Sequence, residues 1–342
     1  MIIERPILKK ENGYFIVSSI CHTSDKSYSI WYRINAEINL SSDIFLIACL
    51  LPSMKVGEDL EVQGEVSFKL YNSIEKIQNI YSCWFPEYKK INIISPIKQN
   101  YKENKNDNTA TFFTGGVDSF YTLLKRKDEI DKIIYVHGFD IPLSSIEYRT
   151  QVNTHIEDVA NNLNKQYIKI ESNLREFSDN FCNWGYHYHG SALASVAILL
   201  QDIIGKIYIP SSYNTQDLFP WGTHPDTDAL WSTEDMQIIH DKCEARIDKI
   251  KTISNYDVAL NHLRVCWQSG LYNCSKCEKC IRTMIGLYAM GVKCATFDKL
   301  DAKLISELSL NRLILPFAKE NYDILPNGDV KSALKIAIDN CQ

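Results

Sequence analysis

The chain has 342 residues, of which 45% are hydrophobic and 23% are charged. These ordinary globular values exclude a largely disordered chain. The formal net charge is −5 at pH 7, which argues against nucleic acid as the main partner because proteins that bind it usually carry a basic excess. Residues 1–6 lack the apolar core of a secretory signal, and the longest apolar run, residues 44–51, is too short to span a membrane. We therefore expect a soluble cytoplasmic protein without a membrane partner.

The first hundred residues predict a β-rich region. Residues 60–68 alternate apolar and polar side chains, as a half-buried strand does. Three further segments are rich in the β-branched and aromatic residues that strands favour: 28–34, 44–51 and 91–94. Residues 96–108 are mostly Lys, Asn, Glu and Asp, which indicates a linker. We therefore predict a β-rich accessory domain over residues 1–95 that could recognise a protein partner.

After this linker, predicted strands alternate with predicted helices. The strands are short apolar runs at 111–113, 133–136, 167–170 and 207–209. The helices have apolar residues at helical spacing and fall at 118–125, 146–163 and 191–204. This alternation predicts an α/β domain, assigned to residues 109–342, with a mostly parallel sheet and helices on both faces. In such sheets ligands bind beyond the carboxyl ends of the strands.

The string Phe-Thr-Gly-Gly-Val-Asp-Ser follows the first of these strands and begins the first helix. Backbone N–H groups at a helix N-terminus can bind an anion, and Gly115 and Gly116 would let the backbone approach phosphate oxygens closely. Thr114 and Ser119 supply hydroxyl groups, and Asp118 could bind Mg²⁺. The lysine of a Walker loop is absent. The string therefore predicts a phosphate loop, with a plain glycine turn as the alternative.

Four of the 11 cysteines lie close together near the C-terminal end: Cys266, Cys274, Cys277 and Cys280. In a cytoplasmic chain this spacing favours a metal site over disulfides. Four thiolates fill the coordination sphere of Zn²⁺, which indicates a structural zinc site. An iron–sulfur cluster also takes four cysteines, so the spacing alone leaves that alternative open.

The glycine loop followed by the cysteine cluster resembles the 7-cyano-7-deazaguanine synthases of the queuosine pathway, a family of PP-loop ATP pyrophosphatases. The loop differs from the family's Ser-Gly-Gly-x-Asp-Ser signature only where Thr114 keeps the hydroxyl, and Cys280 is closely followed by Arg282, as in the family. The resemblance covers roughly residues 109–287. It implies a PP-loop fold with a C-terminal zinc lobe.

The resemblance also implies an activity and the residues that perform it. The family adenylates 7-carboxy-7-deazaguanine with ATP, releasing pyrophosphate, and transfers the acyl group to ammonia to give an amide and then a nitrile. Its triphosphate site falls on Thr114, Gly115, Gly116, Val117, Asp118 and Ser119, with Asp118 and Ser119 as catalytic residues. Its adenine site falls near Val136, His137 and Gly138. The four cysteines would bind Zn²⁺, while ATP and Mg²⁺ would occupy the loop.

Five residues are candidates for binding the acid: His187, His189, Ser211, Asp226 and Arg282. Each has an ordinary alternative, because loop histidines often pack on aromatic rings, loop acids such as Asp226 and Asp228 cap helices, and an arginine on a helix can simply face water. The segment 210–228 lacks the cysteine and arginine that the family carries there. The identity of the acid therefore stays open.

Several other functions remain open at this stage. Divergent relatives of the synthases occur in bacterial antiphage operons, which suggests a protein amine in place of ammonia as the acceptor. A tRNA-thiolating enzyme is disfavoured by the negative charge and by the absence of cysteines between Cys83 and Cys182. An amide synthetase for another acid, or a nucleotide-dependent scaffold, fits the same loop. The sequence also leaves open whether the chain forms a homodimer.

Overall fold

The computed structural model describes residues 1–99, 106–268 and 270–341. Within those residues the protein is α/β, with one eleven-stranded mixed sheet and twelve α-helices. The middle of the predicted linker, residues 100–105, lies outside the described part. None of the described helices is long and apolar enough to cross a membrane.

The first region contributes six strands and two helices. The strands are β1 (Ile2–Ile3), β2 (Ile7–Glu11), β3 (Tyr14–His22), β4 (Ser27–Ile34), β5 (Leu60–Val62) and β6 (Ile93–Ile94). The helices are α1 (Asp43–Val56) and α2 (Phe68–Trp84). Helix α2 begins where the Ser67 hydroxyl accepts a hydrogen bond from the backbone N–H of Leu70, which satisfies one free donor of the first turn.

Two strand predictions in this region are corrected. Residues 44–51 form most of α1, and the predicted strand at 60–68 shrinks to β5, since Phe68 already begins α2. Helix α1 is buried on all sides from Asp43 to Met54. Because it has no polar face, its sequence carries no helical period, and a short apolar run cannot be assigned to strand or helix from periodicity alone.

The second region contributes five strands and ten α-helices among the described residues. The strands are β7 (Thr109–Phe112), β8 (Lys132–His137), β9 (Gln166–Ser172), β10 (Lys206–Ile209) and β11 (Gln237–His240). The helices are α3 (Val117–Lys125), α4 (Ile146–Asn162), α5 (Leu174–Ser178), α6 (His189–Leu199), α7 (Arg246–Ile253), α8 (Asp257–His262), α9 (Glu278–Ala289), α10 (Ala302–Ser306), α11 (Leu315–Ile324) and α12 (Asp329–Asp339). The predicted alternation of strands and helices is confirmed.

The sheet has the order β11-β10-β7-β8-β9-β4-β3-β1-β5-β6, with β2 paired to β3. The five strands from β11 to β9 are mutually parallel. Strand β4 then pairs antiparallel with β9, Tyr32 lying opposite Ser172, so one sheet continues through both regions. The boundary at residue 95 and a partner-binding role for the first region therefore remain predictions.

The two faces of the sheet are covered by different helices. Helices α3, α4 and α7 share one apolar core with one face, while α1, α2 and α6 share another core with the opposite face. In the parallel half the chain starts at β7, moves outward through β8 to β9, and returns to β10 on the other side of β7. Strand order therefore reverses between β7 and β10. At such a switch point the loops beyond the strands diverge and leave a crevice for ligands.

Candidate functional site

The glycine loop lies at this switch point, between the end of β7 and the start of α3. Gly115 has a φ of +78°, in the left-handed region that favours glycine, and Gly116 caps α3 with an extended backbone. The Ser119 hydroxyl donates to the Gly116 carbonyl oxygen (3.1 Å) and accepts from the Thr114 N–H (3.3 Å). The Val117 side chain is buried in the core below. The first backbone N–H groups of α3 have no partner within the helix, so they are available to a ligand at the switch point.

Asp118, in the first turn of α3, binds two cations of α7. Lys249 Nζ lies 2.9 Å from Oδ1, and Arg246 Nη1 lies 3.1 Å from Oδ2. Burial by itself would raise the pKa of Asp118, but Lys249 and Arg246 outweigh it, so the pKa is held below its usual value. Because both carboxylate oxygens already serve cations, this geometry does not support the predicted Mg²⁺ role of Asp118.

Lys249 joins the two sides of the switch point. Its ammonium group also donates to the carbonyl oxygen of Ser211, at 2.6 Å, and to the Ser211 hydroxyl, at 3.3 Å. Ser211 follows β10, whereas Asp118 follows β7. The Lys249 side chain is 1% exposed, so these partners replace the water that its ammonium group loses on burial. Ser211, one of the predicted substrate residues, therefore holds Lys249 in place by accepting its hydrogen bonds.

Two more cations come from the first turns of α9. Arg282 packs over the Phe317 ring, with its guanidinium carbon 4.3 Å from the ring centroid, and its Nε lies 3.0 Å from Glu278 Oε1 without hydrogen-bond alignment. Burial first, and then repulsion by Arg246, lowers the pKa of Arg282 to about 10. Lys279 lies on the same helix, with its Nζ 3.3 Å from the ring centroid of Trp267.

Arg246, Lys279 and Arg282 line a cavity of about 400 Å³, which we call the cation-rich cavity. Its walls include the aromatic rings of Tyr213, Trp221 and Phe317. Four cations lie in or beside it: Arg246, Lys249, Lys279 and Arg282. Among the described residues, only two carboxylates, those of Asp118 and Glu278, lie at ion-pair distance from any of the four. The Nε of Arg246 is buried and makes no hydrogen bond within the described structure. The cavity therefore has an excess of positive charge beside an aromatic wall, as an aromatic anion requires.

A second cavity, also of about 400 Å³, lies beyond the end of β8 and is lined by Gly138, Asp140, Tyr148 and Arg264. Gly138 has a φ of +99°, and a Cβ there would lie 2.0 Å from the Ser172 carbonyl oxygen. The backbone N–H of Arg264 donates to the Gly115 carbonyl oxygen at 2.7 Å, so this cavity adjoins the glycine loop.

The other two residues of the predicted adenine site do not line the second cavity. Val136 belongs to the apolar core. His137 is 1% exposed, contacts the Tyr135 ring edge-on at 4.7 Å, and has neither ring nitrogen in hydrogen-bond geometry with a described residue. Burial first, and Arg149 second, lowers the pKa of His137 to about 3, so its ring is neutral at pH 7. Of the three, Gly138 alone lines the cavity.

Of the five predicted substrate residues only Arg282 lines the cation-rich cavity, and three lie away from the Asp118–Lys249 cluster as well. His187 packs against Phe85 of the first region, with ring centroids 4.3 Å apart. His189 bonds the Trp184 carbonyl oxygen at 3.1 Å and the Thr223 hydroxyl at 3.2 Å. Asp226 is largely exposed. None of the three lines the cavity, so the structure gives no support to a role for them in binding the acid.

Asp228, the second loop acid that the sequence singled out, is buried. Its Oδ2 lies 2.7 Å from His240 Nδ1, and its Oδ1 accepts from the backbone N–H of His224 at 3.1 Å. It therefore joins the 224–228 turn to the end of β11.

The four predicted metal ligands meet in space. The sulfurs of Cys266, Cys274, Cys277 and Cys280 all lie within 4.8 Å of one another, and the Cys266–Cys277 and Cys274–Cys280 pairs are each 3.9 Å apart. Sulfurs on a tetrahedral Zn²⁺ with bonds of about 2.3 Å would be about 3.8 Å apart. The Cys277 N–H donates to the Cys274 sulfur at 3.2 Å, as thiolate sites favour. The residues therefore fit Zn²⁺, which would be structural because all four positions are filled.

Sequence reasoning missed three cations of this region: Arg246, Lys249 and Arg264. Arg246 and Lys249 lie three residues apart, so they share a face of α7, and that spacing was the only available signal. Lys279 was part of the cysteine motif but was not singled out. Lysines and arginines on helices usually face water, so nothing local marked these as buried.

Comparison with protein-family models, with curated proteins and with solved structures found no match for this chain. The assignment of a function therefore depends on the chemistry of the glycine loop, the cation-rich cavity and the cysteine cluster.

Proposed function

We propose that this protein is a PP-loop ATP pyrophosphatase, similar to the 7-cyano-7-deazaguanine synthases, that activates a carboxylic acid by adenylation. The observation that carries the proposal is the glycine loop at the switch point, where Arg246 and Lys249 pair with Asp118 and two further cations, Lys279 and Arg282, line the adjoining cavity. ATP and a carboxylate together bring about five negative charges to one place. Bringing them into contact requires positive charge that is already in position and shielded from water.

In the proposed reaction, a carboxylate oxygen of the acid attacks the α-phosphorus of ATP. The bond from the α-phosphorus to the bridging oxygen breaks, and pyrophosphate leaves with the electron pair. The resulting acyl adenylate is then attacked at its acyl carbon by an amine, which loses a proton, and AMP leaves. Backbone N–H groups after Gly115 and Gly116 would stabilise the departing pyrophosphate together with Arg246, while Lys249 would hold Asp118 in place.

The predicted roles of individual residues change accordingly. Thr114, Gly116 and Ser119 would hold phosphate oxygens. Asp118 would orient Arg246 and Lys249 instead of binding a metal. Mg²⁺ would enter with the triphosphate as its counter-ion.

The cavities support a planar acid and a purine nucleotide side by side. The aromatic wall of the cation-rich cavity offers stacking surface, and Arg282 can pair bidentately with a carboxylate. These features support 7-carboxy-7-deazaguanine or an acid of similar shape. The second cavity, by Gly138 and Arg264, would take the adenosine half of ATP. Bound Zn²⁺ would hold the start of α9, and with it Arg282, against the site.

The test is pyrophosphate release from ATP with and without 7-carboxy-7-deazaguanine, followed by mass spectrometry of the products. We expect release that depends on the acid, and the product mass separates a nitrile, an amide and a protein adduct. Asp118→Asn should abolish release, while Asp226→Asn, an exposed matched control, should retain it. Release that the acid does not stimulate would overturn the deazaguanine proposal, and a panel of other planar acids would then test adenylation itself.

A further inference from the structure

We propose that Lys279 binds the carboxylate of the acid substrate and that the four-cysteine centre holds it in position for this role. The proposal rests on the adenylation function and names a substrate-binding residue within it. Lys279 lies between Cys277 and Cys280, in the first turn of α9. Two metal ligands on one helical turn would fix the backbone on both sides of it.

The pairing of the four cations singles out Lys279. Arg246 and Lys249 share the carboxylate of Asp118, and Arg282 lies beside that of Glu278. In the part of the chain that the structure describes, Lys279 has no carboxylate at ion-pair distance. Its partner is the ring of Trp267. An ammonium group that is partly withdrawn from water without an anion costs free energy, which a bound carboxylate would recover.

The contact with Trp267 is weak enough for Lys279 to exchange it for a contact with a bound carboxylate. A cation over an exposed aromatic ring is stabilised by only about 0.5–1 kcal/mol, and Trp267 is 74% exposed. A carboxylate that forms a charged hydrogen bond offers more than this. The acid can therefore draw the ammonium off the ring.

The position of Lys279 favours the acid over the triphosphate. Lys279 lines the cavity with Arg282 and the aromatic side chains, whereas the glycines of the loop are not among the lining residues. Phosphates would meet the backbone N–H groups of the loop first. A lysine is also a compact charge with three rotatable donors, so it can follow a carboxylate oxygen as that oxygen moves toward phosphorus.

A purely structural role is the competing explanation. Zn²⁺ with four thiolates carries two negative charges, and a nearby lysine could simply balance them. The same segment contains a second lysine, Lys276, between Cys274 and Cys277, and its side chain is exposed. Lys276→Gln removes the same charge from the same segment, so it is the matched control for Lys279→Gln.

The experiment compares wild type, Lys279→Gln, Lys279→Arg and Lys276→Gln in three measurements. These are zinc per chain, the KM values for acid and ATP in pyrophosphate release, and acid binding by calorimetry without ATP. We expect Lys279→Gln to keep its zinc and its KM for ATP while its KM and Kd for the acid rise about 10- to 100-fold, the loss of one charged hydrogen bond. Lys279→Arg should recover part of the affinity, and Lys276→Gln should match wild type.

Each other outcome has a distinct meaning. If Lys279→Gln loses zinc, or if only its KM for ATP changes, or if it behaves like Lys276→Gln, Lys279 does not bind the acid. If wild type binds the acid but releases no pyrophosphate, adenylation is overturned while the binding comparison still decides the role of Lys279. If wild type neither binds nor consumes the acid, both proposals fail.

Discussion

The cysteine cluster and the cation-rich cavity are adjacent, since Cys277 lines the cavity, yet their residues come from very different distances along the chain. The four cysteines lie within fifteen consecutive residues, from Cys266 to Cys280. The cavity is lined by Asp118 after β7, Arg246 of α7 and Arg282 of α9, and Lys249 connects Asp118 to Ser211 after β10. A local cluster depends on one loop and on any ion that its thiolates bind, whereas an assembled site depends on the packing of four elements. The two should therefore respond differently to mutation.

The largest expected effect is loss of the metal. Cys277→Ser removes one of four thiolates and also alters the cap of α9. Binding free energy at structural zinc sites is folding free energy, so we expect a loss of about 5 kcal/mol or more in the stability of the lobe, together with zinc well below one per chain. Elemental analysis and limited proteolysis measure both. Cys83→Ser, at an exposed free thiol, should change neither, and a fully stable zinc-free variant would contradict the structural role.

A smaller effect is expected when the assembled site loses its central carboxylate. Asp118→Asn leaves Lys249 and Arg246 without a negative partner while the shape of the side chain is kept. Because Lys249 is buried, we expect the free energy of unfolding to fall by roughly 3 kcal/mol, with zinc retained. Urea titration with zinc analysis tests this against Asp226→Asn. An unchanged midpoint in urea would mean that the cations find other partners.

The smallest expected effect concerns His137, the last residue of β8. Its pKa of about 3 in the folded protein lies below the value of about 6.5 in the unfolded chain. The unfolded state therefore binds more protons below pH 6.5, and stability should fall as pH falls. Between pH 7 and pH 5 this one group should remove roughly 2 kcal/mol. His137→Gln should flatten the pH dependence of the urea midpoint by that amount, and an unaltered slope would show that the ring is hydrated.

Features encoded in one short segment could be predicted from the sequence, whereas features that depend on the packing of distant segments could not. The phosphate loop, the cysteine cluster and the strand–helix alternation after residue 109 are each encoded in short stretches, so their positions could be predicted. Helix α1 could not, because burial on every side removes the periodicity that marks a helix. The charges of α7 could not either, since only packing against α3 turns Arg246 and Lys249 inward.

By itself the sequence determined which chemical groups are present and how the backbone turns locally. A glycine with positive φ before a helix, and cysteines three residues apart, have few alternative conformations. The tertiary structure decided which groups meet. It placed β10 beside β7, continued the sheet through β4 into the first region, and brought cations of two late helices to an early loop. Contacts between distant residues depend on the packing of whole elements, and for that reason no short segment specifies them.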